Sequence, residues 1–337
     1  MSRRHLRTGR RTVHGLLGPL VGLLLLSACG GGGKEEAAAG GGGAEGKRTL
    51  AVIPKGTTHV FWKSVEAGAR KAGEELGVEV IWKGPLKEND RAQQIQVVQQ
   101  FLTQGVSGIV LAPLDSRALI APVREAQARG IPVVIFDSAL EGEPGRDFVA
   151  YVATDNLAGG RMGGERLAEL LEGRGDVVLM RYLVGSASTS QREEGFLAAL
   201  AGRSGLRVTV DNRYAGATAG EAKTQALNMI DAIRRAQGIF APNESSTYGV
   251  LLALRQEGLA GHIRFVGFDA SPPLVQALRD GEIDALVVQD PWNIGYRAVG
   301  ALVGHLDGRE VPPVIDTGAV LVTRQNMDDP ALRRLLP

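Results

Sequence analysis

Gly130-Ile131-Pro132-Val133-Val134-Ile135-Phe136-Asp137-Ser138 holds the key to the architecture of this 337-residue chain. Its apolar run, Pro132 to Phe136, is too short for a helix and opens after a glycine. It therefore reads as a strand buried on both faces, which is how strands of parallel sheets look in sequence. The polar pair Asp137-Ser138 follows at once, at the carboxyl end of that strand.

Working outward, the same unit recurs. Further apolar runs lie at Thr49–Pro54, Val78–Trp82, Gly108–Ala112, Phe148–Val152, Asp176–Tyr182, Val208–Val210, Gly238–Ala241, Arg264–Phe268 and Ala285–Val288. Amphipathic stretches separate them, such as Phe61 to Leu76 with Val65, Ala69 and Ala72 on one face, and Ala92 to Gln104 with Ile95, Val98 and Leu102. Strands alternating with helices of that length give an α/β fold built on parallel sheets. Two doubly wound lobes suit ten runs better than a single (β/α)₈ barrel, the competing arrangement. The runs at Phe148–Val152 and Ala285–Val288 end in Ala153-Thr154-Asp155-Asn156 and Gln289-Asp290-Pro291, short polar segments that read as crossings between lobes.

Composition narrows the function. The 38 Lys and Arg nearly balance the 37 Asp and Glu, so the chain lacks the basic excess with which proteins coat nucleic acid. One cysteine excludes an internal disulfide framework or a multi-thiolate zinc site. Residues 1–29 contain five arginines and no acid, and the rest of the chain is acidic by four charges. The positive start, the apolar run Leu16 to Leu26 and the small residues after it form the pattern of an export signal, too short to span a bilayer comfortably. Arg10-Arg11 adds only a weak hint of twin-arginine export. Residues 29–47, with Gly30–Gly33 and Gly40–Gly43, are a glycine-rich tether that has too little apolar surface to fold.

Ligands of open α/β sheets gather beyond the carboxyl ends of the strands. Those ends carry Asp115, Asp137-Ser138, Asn243-Glu244, Asp269 and Gln289-Asp290. Carboxylates and amides that converge with an arginine suit a polyol, and aromatic rings such as Phe61, Trp62 and Trp292 suit the C–H faces of a sugar. Each such residue, taken singly, is also a good helix N-cap. No Gly-x-Ser-x-Gly, His-Glu-x-x-His or Walker-type loop is present, and no catalytic residue, metal or cofactor is assigned. Gly159-Gly160-Arg161-Met162-Gly163-Gly164 could sit at a phosphate-binding helix start, but close helix packing explains it better. Lys55 and Lys83 read as solvated surface lysines, with contact to an anionic or keto-bearing ligand as the alternative.

These residues carry a resemblance. Ser64-Val65-Glu66-Ala67-Gly68-Ala69, Gly130 to Asp137, Ala153-Thr154-Asp155-Asn156 with Gly159-Gly160, Arg192-Glu193-Glu194-Gly195-Phe196, Ala241-Pro242-Asn243-Glu244 and Val266-Gly267-Phe268-Asp269 occur in the order found in the periplasmic sugar-binding proteins of ABC transporters. That cluster includes the ribose-binding protein and shares its type I fold with the ligand domains of LacI-type repressors. Leu26-Ser27-Ala28-Cys29 resembles a bacterial lipobox.

The resemblance implies two lobes joined by a three-segment hinge near Thr154-Asp155, Gln289-Asp290 and Asp316-Thr317. Residues 48–154 with 290–316 would form the first lobe, and 155–289 with 317–330 the second. It places ligand contacts at His59, Phe61, Trp62, Asp137 and Ser138 on the first lobe, Arg192, Asn243 and Asp269 on the second, and Gln289 at a crossing. It further implies a signal peptide over 1–28, lipidation of Cys29, a monomer held at the membrane outside the cytoplasm, and an ABC permease as partner. His59 stands where the ribose binder has Asn, Ser138 where it has Arg, and Ala217 near where an aromatic ring covers the sugar, with Tyr214 or Trp292 as substitutes. Ribose itself is therefore disfavoured. Lys83-Gly84-Pro85, Phe136-Asp137-Ser138 and Tyr214 to Thr218 are closer to the autoinducer-2 binding branch, which leaves a signal-binding or sensory role as the alternative. A sugar-modifying enzyme is a more distant one. The helix-turn-helix of the LacI relatives is replaced here by the signal and tether, so no nucleic-acid partner follows.

Overall fold

A computed structural model describes residues 47–337 of the chain. The signal, Cys29 and all but the last residue of the tether lie outside the described residues. In chain order the elements are β1 (Thr49–Ile53), α1 (Val60–Glu75), β2 (Glu79–Trp82), α2 (Arg91–Gln104), β3 (Gly108–Leu111), α3 (Ile120–Ala128), β4 (Val133–Phe136) and β5 (Ala150–Ala153). Next come α4 (Asn156–Leu170), β6 (Gly175–Arg181), α5 (Ala187–Leu200), β7 (Leu206–Tyr214), α6 (Ala219–Asn228), α7 (Ile230–Arg235), β8 (Gly238–Phe240), α8 (Glu244–Gln256), β9 (Arg264–Phe268), α9 (Pro272–Asp280) and β10 (Ala285–Gln289). The chain ends with α10 (Pro291–Leu306), β11 (Val314–Asp316), β12 (Ala319–Thr323) and α11 (Pro330–Arg333).

The strands form two six-stranded sheets of matching order, β2-β1-β3-β4-β5-β11 and β7-β6-β8-β9-β10-β12. All neighbours pair in parallel except β10 and β12, which are antiparallel. Two open sheets replace the single barrel that was the competing arrangement. Central strands such as β3 and β4 are buried along their whole length, which is why they read as continuous apolar runs. All ten runs are strands. β7 is longer than its run because it is a sheet edge with alternating exposure, so its apolar signal is intermittent. β11 and β12 were not read as strands; each adds an outer strand to one sheet.

The chain passes between the sheets three times: from β5 into α4, from β10 into α10, and from β11 into β12. The passages are stitched together. Thr154 Oγ1 donates to the Gly318 carbonyl at 3.1 Å, and Asp316 Oδ1 accepts from the backbone N–H groups of Asp155 and Gly318 at 3.1 and 2.8 Å. Among the described residues no helix is long and apolar enough to cross a membrane.

The glycines of α4 serve packing. A Cβ on Gly160 would overlap the Arg192 carbonyl of α5, one on Gly195 would overlap the Leu157 carbonyl of α4, and one on Gly163 would strike the Phe240 ring. Gly68 of α1 and Gly295 of α10 interlock in the same way in the first lobe. Gly160→Ala should therefore cost about 1–3 kcal/mol and lower the melting temperature, because the neighbour that must move is backbone. Gly220→Ala, at an exposed position of α6 with open space around it, should stabilise by about 0.5–1 kcal/mol. Thermal unfolding of the two variants side by side measures the contrast.

Candidate functional site

Equivalent strands of the two sheets end in equivalent side chains. Asp137 follows β4 and Asp269 follows β9, which occupy the same place in their sheets. Both take the left-handed backbone conformation, with φ of 59° and 68°. Aspartate tolerates that conformation better than most residues but still at a cost. Strain repeated at matching positions of facing strand ends marks a functional site.

The two strand-end faces line one narrow cavity between them. Eight of the nine expected contacts line it: His59, Phe61, Trp62, Asp137, Arg192, Asn243, Asp269 and Gln289. Ser138 lies behind the wall, fully buried, where its hydroxyl accepts the Ser188 N–H at 3.2 Å from the other lobe. Contacts of this kind hold the lobes together around the cavity. The Ser116 N–H donates to the Gly185 carbonyl at 3.1 Å, and Arg91 Nη2 to the Val184 carbonyl at 2.6 Å.

Arg192 is buried at 3 % exposure and held rigidly. Its Nε donates to Asn156 Oδ1 at 2.8 Å, its Nη1 to the Pro242 carbonyl at 3.0 Å, and its guanidinium lies 4.0 Å over the Phe268 ring. Nη1 also stands 4.0 Å from Asp269 Oδ2. Asp269 in turn accepts from Gln289 Nε2 at 2.7 Å and from the Glu244 N–H at 3.0 Å. Burial pushes the carboxyls of both Asp269 and Asp137 above the usual carboxylate range, against the pull of the nearby Arg192 and Lys55 cations. Asn243 caps α8, accepting from the Ser246 N–H, so the capping and the site readings of this residue both hold.

Lys55 departs from expectation. It is 3 % exposed, not a solvated lysine. Its ammonium bonds Ser186 Oγ at 3.2 Å and Ser188 Oγ at 3.0 Å across the cleft and stands 3.5 Å from Asp137 Oδ2. A cation from the end of β1 thus serves Asp137 where Ser138 cannot, as a point charge in place of a guanidinium fork. The tolerance of lysine for either surface or interior hid this in the sequence. Lys83 is an exposed lysine, bonded to Gln100.

Trp292 and Tyr214 do not reach the cavity. Trp292 is 41 % exposed and stacks on Tyr296 along α10, and Tyr214 is 42 % exposed at the end of the edge strand β7. Sequence proximity to a crossing put Trp292 near the site, but the turn into α10 carries its side chain outward. Trp62 donates its Nε1 hydrogen to Glu88 at 2.7 Å and packs edge-on against Phe61 and Phe136. Glu88, Tyr182, Ser188, Thr189 and Glu244 also line the space and were not assigned from sequence. Of these Glu244 and Tyr182 lie at the carboxyl ends of strands read from the sequence.

His59 joins the lobes. Its Nδ1 lies 3.0 Å from Glu88 Oε1, while the backbone of Ala217 and the Glu244 carboxyl approach it from the second lobe. Ala217, buried and small, leaves room for the imidazole. Burial alone would lower the histidine, but Glu88 overrides it and raises it to about 9. Burial likewise opposes ionisation of Glu88, yet His59, Lys55 and Trp62 hold it down at about 2.

The sequence profile of the periplasmic binding protein domain matches residues 50–310. The chain belongs to that family. It is 36 % identical to the periplasmic component of an ABC-type sugar transport system from Hahella chejuensis, covering 82 % of this chain and 99 % of the other with a TM-score of 0.78. It is 33 % identical to a carbohydrate transporter solute-binding protein from Agrobacterium radiobacter in complex with D-arabinose, covering 87 % and 100 % with a TM-score of 0.82. The ribose import binding protein of Salmonella typhimurium is 29 % identical over 287 residues, 84 % of this chain and 93 % of that protein. The family consists of substrate-binding proteins of ABC transporters, not enzymes.

The His59–Glu88 pair sets a pH window. A raised histidine contributes stability that is complete below its unfolded value near 6.5 and is lost as pH climbs toward 9. A depressed glutamate contributes stability that is complete above about 4.5 and is lost as pH falls toward 2. Stability of the protein should therefore decline by on the order of 3 kcal/mol between pH 6.5 and 9, and His59→Gln should flatten that limb. Chemical denaturation across the range measures both.

Proposed function

We propose that the protein captures a monosaccharide or related polyol between its lobes and hands it to the permease of an ABC importer. The observation that carries this reading is the pair of left-handed aspartates facing one cavity, each served by a buried cation, Lys55 or Arg192. Carboxylates fixed by their neighbours accept hydrogen bonds from ring hydroxyls, a guanidinium or ammonium donates to the same oxygens, and Phe61 and Trp62 offer apolar faces to C–H groups. The sugars bound by the relatives, D-arabinose in one and ribose in another, are consistent with a ligand of this size.

The moving bodies are residues 48–154 with 290–316 and residues 155–289 with 317–330, turning about the three passages. The nine assigned contacts bind the ligand, with Ser138 acting through Ser188. Ligand that touches both lobes favours the closed form by its difference in affinity for the two states. The protein works as a monomer outside the cytoplasm, exported by residues 1–28 and anchored through Cys29, a reading supported by the lipobox pattern alone.

Thermal-shift measurements with D-ribose, D-arabinose, D-allose, D-galactose and myo-inositol test the site. At a hundredfold excess over Kd a binding sugar stabilises by about 2.7 kcal/mol. Arg192→Ala and Asp269→Ala should each abolish that shift, since each strips the partner from a buried charged group; a normal shift in both would overturn the assignment.

A further inference from the structure

Tyr182 sits directly after β6, in the second lobe, at the place that Lys55 approaches from β1 in the first. Its side chain is 1 % exposed and lines the cavity. The hydroxyl nevertheless has no well-formed hydrogen bond among the described residues. The Glu88 carboxyl and the Ser245 hydroxyl are its polar neighbours, yet neither completes a bond to it. A buried tyrosine hydroxyl left unpaired is uncommon and costly, so its place in a wall of the cavity needs an explanation.

Glu88 explains what the phenol faces. Two donors fix its carboxylate, Trp62 Nε1 at 2.7 Å and His59 Nδ1 at 3.0 Å, and both fall on Oε1. The second oxygen takes neither. A carboxylate fixed through one oxygen and a phenol hydroxyl without a well-formed hydrogen bond therefore line the same cavity, one on each lobe. Resting on the sugar-binding reading above, we propose that Tyr182 and Glu88 form a specificity-determining subsite that grips one ligand hydroxyl. The phenol donates to the ligand oxygen, and that hydroxyl donates to Glu88. A hydroxyl is the only common sugar substituent that does both; a methyl or hydrogen there would leave both groups unpaired. Because the two groups belong to different lobes, this bridge forms only when the lobes close.

Tyr182→Phe separates binding from folding. It removes only an oxygen that bonds nothing in the unliganded protein, so the melting temperature of the unliganded protein should hold or rise. Calorimetric titration with D-ribose, D-arabinose, D-allose, D-galactose and myo-inositol should show about a tenfold to hundredfold loss of affinity for whichever of these the unaltered protein binds. Equal affinity in the two proteins overturns the subsite while leaving the sugar-binding reading intact. A lowered melting temperature also overturns it, since the hydroxyl would then have a partner inside the protein. If the unaltered protein binds none of the five, the sugar-binding reading fails and the subsite with it.

Discussion

The carboxylate of Asp269 is where the second lobe, the hinge and the cavity meet. It is buried, and a buried charge is tolerable only where its surroundings supply donors. Gln289 at the end of β10 and the first N–H of α8 donate to it, and the Arg192 guanidinium stands 4.0 Å away as its cation. Each partner comes from a different element, so the carboxylate can be satisfied only if β9, β10, α8 and α5 hold their places. Arg192 extends the chain of dependence to Asn156 at the start of α4, just after the first passage. The interaction is thus a constraint on architecture as much as a feature of the site.

The first lobe solves the same problem with different parts. Asp137 occupies the position equivalent to Asp269, with the same left-handed backbone, but its cation is Lys55, whose ammonium also reaches two serine hydroxyls on the other lobe. Arginine would fork onto two oxygens in one plane; lysine gathers carboxylate and hydroxyls around a point. The lobes are therefore held to each other partly through Lys55, Ser138 and His59.

Much of the fold was legible because parallel strands buried on both faces leave uninterrupted apolar runs, and because strand ends carry the polar residues that follow them. Ten strands and eight of the nine assigned residues come together for that reason. The rest was hidden for identifiable causes. β7 is an edge whose outward side chains are polar, and β11 and β12 are short strands at the sheet margins. Trp292 was misplaced because sequence adjacency to Gln289 says nothing about which way the first turn of α10 points. Lys55 was misjudged because a lysine advertises nothing of its burial.

By itself the sequence determined the alternation of strand and helix, the two-lobe division and the strand ends on which ligand chemistry sits, since these follow from local periodicity and chain length. Only the tertiary structure decided which polar groups are satisfied and which are left over. Glu88 and Tyr182 lie on separate lobes, 94 positions apart in the chain, and the strand end that carries Tyr182 gives no sign of the carboxylate that shares its cavity. Their roles arise from a shared boundary, where His59 and Trp62 fix one carboxylate oxygen and the fold leaves a phenol hydroxyl facing it without a partner. Whether a buried polar group is paired is a property of its neighbours in space, and the chain acquires those neighbours only when both lobes are folded and closed.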